Sequence, residues 1–225
     1  MSHFHIVKKS DIDKTYKVAR IMGDYDVQLE HSNEEFVGDI EYPENWKIGL
    51  IVGGSGTGKS TIANELFKDS IVSDLKYTHK SVIDDMPSNV TIEEIEKTFY
   101  SVGFGSVPSW LKPYNVLSNG EKMRVDLARM MLERDFIVFD EFTSVVDRQV
   151  AQTACLAINK SIKNSNKQFV AISCHKDIIE WLNPDWIFDT DTMQCFFMKA
   201  HTQENNLLSE NVSEKNGRNL GNIII

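Results

Sequence analysis

A glycine-rich run between a short apolar segment and a helical one constrains this chain more than any other feature. Ile48 to Val52 form a short apolar run that ends at Gly53 and Gly54, and residues 60–68 have the spacing of a helix. A short apolar run bounded by glycines is typical of a buried strand. The order strand, glycine loop, helix therefore predicts an α/β fold.

Strands and helices continue to alternate after the loop. We expect helices at residues 91–101, 118–134, 147–163 and 177–182, and strands at residues 27–29, 81–83, 136–139, 169–173, 186–188 and 193–198. Alternation of this kind predicts a mostly parallel sheet with helices on both faces.

The composition fits one globular domain and a polar tail. Of the 225 residues, 41% are hydrophobic and 25% are charged, which excludes collagen-like, coiled-coil and wholly disordered chains. Residues 200–225 are rich in Asn, Ser and Glu, so their burial cannot offset the entropy of ordering them. We expect a domain at residues 1–199 and a disordered tail at residues 200–225.

The net charge limits the kinds of partner that the chain can bind, and the cysteine content indicates the compartment in which it works. The chain has 24 Lys and Arg residues and 33 Asp and Glu residues, a formal net charge of −9. This charge disfavours binding of nucleic acid through a broad basic surface, although a local basic patch could still bind it. The three cysteines match no disulfide or metal spacing, which favours the reducing cytoplasm. Apolar runs are far shorter than the roughly 20 residues that span a bilayer, and we expect no secretory signal and no membrane insertion.

The glycine run matches the phosphate-binding P-loop spacing G-x-x-x-x-G-K-[ST]. Its glycines let backbone N–H groups point at phosphate oxygens, and the helix N-terminus adds partial positive charge. We expect Lys59 to reach the β- and γ-phosphates of a nucleotide and Ser60 to bind Mg²⁺. Thr61 is expected either to cap or to contact the α-phosphate. The predicted nucleotide-binding residues of the loop are Gly53, Gly54, Ser55, Gly56, Thr57, Gly58, Lys59, Ser60 and Thr61. The alternative is a flexible glycine loop with a chance lysine.

Two carboxylates, Asp140 and Glu141, follow the predicted strand 136–139. Ligands of open α/β sheets gather at such carboxyl ends. Asp140 is suited to binding Mg²⁺ through water, and Glu141 to acting as the general base that activates an attacking water. Acidic residues at a strand end are also common where a loop simply begins. We favour the functional interpretation because the chain also carries the P-loop lysine, Lys59.

The segment Leu117-Ser118-Asn119-Gly120-Glu121 lies 22 residues before Asp140. Ser118 and Glu121 have the spacing of a capping box at a helix start. Further on, Ser144 to Asp147 follow Glu141, and His175 follows the strand 169–173. Asp147 is also a plausible helix cap, and a lone histidine is often structural.

In this order of motifs the chain resembles the ATP-binding cassette (ABC) ATPases over residues 52–176. The family's signature reads Leu-Ser-Gly-Gly-Gln, from which Asn119 and Glu121 depart. The resemblance implies hydrolysis of ATP to ADP and phosphate in a homodimer, in which the Lys59 face of one subunit and the Ser118 and Gly120 face of another enclose ATP and Mg²⁺. It also implies that His175 is a switch histidine that contacts the γ-phosphate, and that Ser144 to Asp147 form the D-loop.

The chain departs from transporter-type ABC subunits between Lys59 and Ser118. Those subunits carry a glutamine there that contacts Mg²⁺ and the membrane partner, and this segment contains none. Asp84 and Asp85 are the nearest substitutes, and Asp84 is our candidate metal ligand; an ordinary acidic turn before Pro87 is the alternative. The segment is also short, so we expect a reduced helical subdomain at about residues 84–117.

The family stacks adenine on an aromatic residue N-terminal to the P-loop. Tyr25 is our first candidate, with Tyr42 and Trp46 behind it. Simple packing against the sheet is the alternative for all three.

The motifs look most like a soluble prokaryotic or phage subgroup of ABC ATPases that is often fused to a GNAT acetyltransferase domain. We find no acetyltransferase pattern and infer no acetyl transfer. The resemblance implies a nucleotide-gated homodimer in the cytoplasm, with an unidentified protein partner. The ATPase subunit of a membrane transporter and an ATP-dependent regulator of a DNA or protein complex are the alternatives.

Overall fold

A computed structural model describes residues 2–9, 15–26, 33–68, 70, 71 and 75–198 of the chain. The predicted strand 27–29 and the predicted tail 200–225 lie outside these residues.

Seven strands and seven α-helices occur in the described residues. The strands are β1 (Ser2–Lys9), β2 (Asn33–Ile40), β3 (Ile48–Val52), β4 (Phe136–Phe139), β5 (Gln168–Ser173), β6 (Trp186–Asp189) and β7 (Gln194–Phe197). The helices are α1 (Tyr16–Tyr25), α2 (Lys59–Phe67), α3 (Ile92–Ser101), α4 (Val107–Trp110), α5 (Asn119–Glu133), α6 (Arg148–Lys163) and α7 (Ile178–Leu182). Two short 3₁₀ helices span Val82–Asp85 and Tyr114–Val116.

The main sheet has five strands in the order β4-β5-β3-β6-β7. The first four are parallel, and β7 pairs antiparallel with β6. The predicted mostly parallel sheet is therefore confirmed. β1 and β2 form a separate antiparallel pair, in register from Ser2 opposite Ile40 to Lys9 opposite Asn33.

Side chains of the parallel strands alternate between two buried cores, as the period of two in a strand requires. Ile48, Leu50 and Val52 of β3 pack in the core that α3, α5 and α6 cover. Ile51 packs on the other face, with residues of α2 and of the β1–β2 pair. Because both faces are covered, the central residues of these strands are apolar, and polar residues such as Gln168 and Asp189 stand at strand ends.

The predicted strand at residues 81–83 is wrong, because Val82–Asp85 form a 3₁₀ helix. The Asp85 carboxylate accepts hydrogen bonds from the backbone N–H groups of Thr78 and His79, at 2.9 and 3.2 Å. These contacts hold the chain in a turn, with Val82 fully buried beneath it. A run of three residues cannot distinguish such a turn from a strand by periodicity.

The expected helical subdomain consists of short helices around an aromatic cluster. Phe99 of α3 packs against Phe104 and Trp110, with ring centroids 5.2 Å apart in both pairs. The Trp110 indole N–H donates to the Phe104 carbonyl at 2.8 Å. α3 packs on α5, so this cluster fixes the position of the helix that begins after Ser118.

Among the residues that the structure describes, every helix is too short or too polar to cross a bilayer.

Candidate nucleotide-binding site

A cleft of about 450 Å³ lies at the carboxyl edge of the parallel strands. Its walls come from the loop after β3, the start of α2, the turns after β4 and β5, and the ends of β1 and β2. It is lined by Lys8, Glu34, Ser55, Gly56, Gly58, Lys59, Ser60, Thr61, Asp140, Glu141, Ser144, Ile172, Ser173 and Cys174. The volume is within the range of small-molecule sites.

The loop after β3 needs glycine at two positions. Gly56 and Gly58 have φ angles of 81° and 85°, in the left-handed region that favours glycine. Gly58 also passes against Phe36 of β2, whose ring would be 2.4 Å from an added Cβ atom. The β1–β2 pair therefore packs directly on the loop where α2 begins.

Lys59 is the first residue of α2. Its Nζ donates to the Gly54 carbonyl at 2.5 Å, which holds the ammonium group across the loop. Ser60 and Thr61 follow in the first helical turn and line the cleft. The first N–H groups of a helix have no partner within the helix, so this end of α2 offers donors and partial positive charge to an anion.

Asp140 and Glu141 lie in a tight turn after β4. Glu141 has a φ of 53° and Thr143 a φ of 67°, unusual values for residues other than glycine. The turn is held because the Phe142 N–H donates to the Ile172 carbonyl at 2.8 Å and the Phe142 ring is fully buried. Strained backbone of this kind clusters at functional sites, and here it brings both carboxylates into the cleft.

His175 follows Ser173 and Cys174, which line the cleft. Its backbone N–H donates to the Ser173 hydroxyl at 3.1 Å. The His175 side chain is half-buried and is not among the groups that line the cleft. The structure therefore places it beside the site, and its contact with a γ-phosphate stays a prediction.

Ser118 caps α5 and lies outside the cleft. The Glu121 N–H donates to the Ser118 hydroxyl at 3.3 Å, and the Ser118 N–H donates to the Glu121 carboxylate at 2.9 Å. The predicted capping box is thus confirmed. Ser118 is exposed, while Gly120 faces Val150 of α6, whose Cγ1 would be 3.0 Å from an added Cβ.

Asp147 caps α6. Its carboxylate accepts from the N–H groups of Gln149 and Val150, both at 3.0 Å. The capping interpretation is confirmed, and a D-loop role is compatible with it.

Asp84 and Asp85 are not brought to the cleft. Asp84 accepts a hydrogen bond from the Ser81 hydroxyl, and Asp85 is engaged by Thr78 and His79. Neither lines the cleft, so a metal-binding role for Asp84 stays a prediction.

Among the described residues, no group of three His, Cys, Asp or Glu side chains could hold a metal ion on its own. Mg²⁺ usually binds proteins through one or two side chains together with substrate phosphates. Ser60 and Asp140, which both line the cleft, fit that requirement.

The candidate adenine-stacking residues lie away from the cleft lining. Tyr25 is the last residue of α1 and is 73% exposed. Tyr42 and Trp46 stack on each other with centroids 5.9 Å apart, and both rings contact Trp186 edge-on. Tyr42 and Trp46 therefore pack against the sheet, as the alternative to adenine stacking proposed. A stacking role for Tyr25 stays a prediction.

Sequence reasoning missed several residues of this region. Lys8 and Glu34 line the cleft and form an ion pair at 3.8 Å. Thr190 and Asp191 contact the P-loop from the turn after β6. No local motif marks these positions, because the pairing of β1 with β2 and of β3 with β6 brings them there.

Comparisons with solved structures identify the fold. A dimeric post-hydrolysis state of the ATP-binding cassette MJ0796, bound to ADP and Pi, has a TM-score of 0.54 at 15% identity, covering 72% of this chain and 89% of that one. A dimeric structure of MJ0796, described as a bacterial ABC transporter cassette, has a TM-score of 0.54 at 17% identity, covering 82% and 94%. A bacterial Atm1-family ABC exporter with ATP bound has a TM-score of 0.51 at 21% identity, covering 74% of this chain and 35% of the exporter chain.

This chain thus matches about a third of the exporter's length and nearly all of the MJ0796 cassette. No protein-family model and no curated protein matches the sequence. The structural matches confirm the predicted P-loop fold of the ABC type, and the described part of this chain has the fold of an ABC ATPase cassette.

Proposed function

We propose that this chain is an ABC-type ATPase that binds ATP with Mg²⁺ and hydrolyses it between two copies of itself. One observation carries the proposal: Lys59, Ser60, Asp140 and Glu141 line one cleft, whereas the capped helix start at Ser118 is exposed and lies outside it. Each chain thus offers one complete half of the site and a separate second half.

The glycine loop and the start of α2 bind the triphosphate. The cleft carries Lys59, the free N–H groups of the first turn of α2 and backbone N–H groups of the glycine loop, all of which favour an anion. Ser60 and Asp140 would hold Mg²⁺, which when bound neutralises charge that develops on the phosphates. Among the similar structures, the Atm1-family exporter is described with ATP bound and the MJ0796 cassette with ADP and Pi.

Glu141 activates the water molecule for hydrolysis. As general base it takes a proton from a water molecule, whose oxygen bonds to the γ-phosphorus while the bond from that phosphorus to the bridging oxygen breaks and ADP leaves. The backbone turn at Glu141 is fixed by the buried Phe142, so the Glu141 side chain enters the cleft from a defined position of the main chain. His175, beside the site, would hold the γ-phosphate and the water in line.

The second half of the site comes from a partner copy. A capped helix start such as that of α5 attracts anions, and Ser118 and Gly120 of one chain would close on the phosphates held by Lys59 of another. MJ0796, which has the same fold, is described as dimeric in two structures, one of which holds ADP and Pi. ATP would thus act as the link that closes the dimer, and hydrolysis would open it.

We further propose that the protein works in the cytoplasm and outside a membrane transporter, with a protein partner that responds to the closed dimer. The support is the segment between Lys59 and Ser118, which lacks glutamine and forms only short helices. Stable co-purification with a membrane protein would instead favour the transporter alternative.

The test is Glu141→Gln, measured by size-exclusion chromatography and by phosphate release. The variant keeps the hydrogen-bonding shape of the side chain and loses its basicity. We expect ATP to bind and a stable dimer to form with ATP and Mg²⁺, while turnover falls at least about 100-fold. The control is Glu180→Gln, an exposed carboxylate on α7, which leaves turnover unchanged. Normal turnover in Glu141→Gln would contradict the assignment of the base.

A further inference from the structure

The turn after β6 reaches back onto the P-loop. β6 lies beside β3 in the sheet, so residues that follow β6 end next to residues that follow β3. The Thr190 N–H and hydroxyl donate to the Val52 carbonyl, at 2.8 and 3.2 Å, and the hydroxyl lies 2.6 Å from that of Thr57. A Cβ on Gly53 would lie 2.1 Å from the Thr190 hydroxyl, so the two segments are in direct contact.

Asp191, the next residue, binds the loop at Gly54. One carboxylate oxygen accepts from the Gly54 N–H at 2.8 Å, while the Gly54 carbonyl accepts from Lys59 Nζ at 2.5 Å. Gly54 is therefore held on one side by the Asp191 carboxylate and on the other by the Lys59 ammonium group. The Gly54 N–H and the Lys176 ammonium group keep the pKa of Asp191 below its ordinary value.

Lys176 connects the same carboxylate to the segment that carries His175. Its Nζ lies 3.0 Å from the second Asp191 oxygen and 2.8 Å from Asp189 Oδ2. Since Lys176 directly follows His175, a chain of contacts runs from the His175 segment through Asp191 to the P-loop. Neither Asp191 nor Lys176 belongs to the P-loop, the Asp-Glu strand or the signature segment.

We propose that Asp191 and Lys176 are positioning residues for ATP hydrolysis. Asp191 orients Gly54, and through it Lys59, for the triphosphate, and the Lys176–Asp191 pair sets the place of His175 relative to the P-loop. This inference rests on the proposed ATPase function and deepens it.

The Gly54–Asp191 hydrogen bond and the Lys176–Asp191 ion pair differ in strength. Lys176 and Asp191 are 52% and 37% exposed, and ion pairs this exposed contribute little by themselves. A hydrogen bond from a backbone N–H to a carboxylate is stronger, and its loss frees the loop that binds phosphate. Asp191 should therefore govern nucleotide affinity, and Lys176 should affect the chemical step with little effect on binding.

The experiment compares Asp191→Ala, Asp191→Asn and Lys176→Met in the full chain. The Kd for ATP–Mg²⁺ is measured by calorimetry, and kcat is measured separately by phosphate release. Asp191→Ala removes both contacts, and we expect its Kd to rise about tenfold, since hydrogen bonds to charged groups are worth at least that factor. Asp191→Asn keeps an acceptor for Gly54, so its Kd stays within about threefold of wild type.

Asp191→Asn and Lys176→Met both remove the Lys176–Asp191 ion pair, and we expect each to lower kcat by about threefold. Lys176→Met also removes the contact with Asp189, so its effect is at least as large as that of Asp191→Asn. The double variant should lower kcat no further than Lys176→Met does, because that single change already removes the Lys176–Asp191 interaction. The matched control is Lys167→Met, which breaks the Lys167–Asp135 ion pair of 2.8 Å at the opposite edge of the sheet. It should change neither constant.

Distinct results overturn distinct claims. An Asp191→Ala protein that binds ATP as wild type does, even with a lower melting temperature, contradicts the positioning of Gly54. If Asp191→Ala does not fold, a wild-type kcat in both Asp191→Asn and Lys176→Met contradicts the link to His175. A wild-type protein that binds no ATP refutes the proposed function itself.

Discussion

The Asp140 carboxylate accepts a hydrogen bond from the backbone N–H of Glu141 at 2.8 Å. Two adjacent acidic residues are thereby given different environments: Asp140 is bonded to the main chain, while the backbone of Glu141 turns into the left-handed region with a φ of 53°. Separate environments are what allow two carboxylates to take separate roles. The arrangement is consistent with Asp140 as a metal-binding group and Glu141 as the base.

If two chains share each site, two inactive variants should restore activity when mixed. Lys59→Ala removes the cation that we propose binds the phosphates, and we expect it to weaken ATP binding at least about tenfold. Ser118→Arg places a bulky side chain at the exposed start of α5, and we expect it to bind ATP as a monomer. Each variant alone should lack turnover.

An equimolar mixture contains heterodimers with one intact site, formed by Lys59 of the Ser118→Arg chain and Ser118 of the Lys59→Ala chain. Phosphate release should therefore rise to a readily measurable fraction of the wild-type rate. The control is a mixture of Lys59→Ala with Glu141→Gln, because both changes lie in the same half of the site and no heterodimer then contains an intact site. A mixture as inactive as its components would contradict the shared site.

The Glu121 carboxylate closes the capping box of α5, and its other oxygen accepts from the Ser109 hydroxyl at 2.7 Å. We expect Glu121→Ala to destabilise the fold by about 1 kcal/mol, the usual value of such a cap. For a chain of this size that lowers the melting temperature by roughly 2–4 °C. Calorimetry or circular dichroism measures the shift.

Glu121→Gln is the matched variant, because glutamine also closes a capping box. Its stability should stay within about 0.5 kcal/mol of wild type. Equal losses in the Ala and Gln variants would show that charge at this position matters more than the cap.

The lowered pKa of Asp85 predicts that the free energy of unfolding depends on pH. Burial raises the pKa of Asp85, but hydrogen bonds from the N–H of Thr78, the His79 ring and the His79 N–H outweigh it, so the pKa lies below its ordinary value. The unfolded chain then takes up the proton first as the pH falls. The stability that Asp85 contributes is therefore present above about pH 4 and is lost as the pH falls through the lowered pKa.

Asp85→Asn removes that contribution, so the difference in unfolding free energy between wild type and variant should be largest near neutral pH. It should shrink steadily below about pH 4. Urea titrations from pH 7 to pH 3 measure it, with Asp84→Asn as the neighbouring control. A difference that is the same at every pH would contradict the role of the Asp85 charge.

Much of the fold follows from local patterns. The apolar runs at 48–52, 136–139 and 169–173 are strands, and the helices after Gly58, Ser118 and Asp147 begin within one residue of their predicted starts. These elements were predictable because their signals are local: period, capping residues and glycines whose backbone conformation other residues avoid. The error at 81–83 arose where the deciding contacts join Asp85 to Thr78 and His79.

The sequence by itself determined that a glycine loop, a lysine and two carboxylates would meet at one edge of a parallel sheet, because each follows a strand and parallel strands end together. Only the tertiary structure decided what surrounds them. Lys8 and Glu34 enter the cleft because β1 pairs with β2, whose Phe36 packs on Gly58. Asp191 reaches Gly54, 137 residues away in the chain, because β6 lies beside β3, and such a contact leaves no local pattern since it depends on strand order.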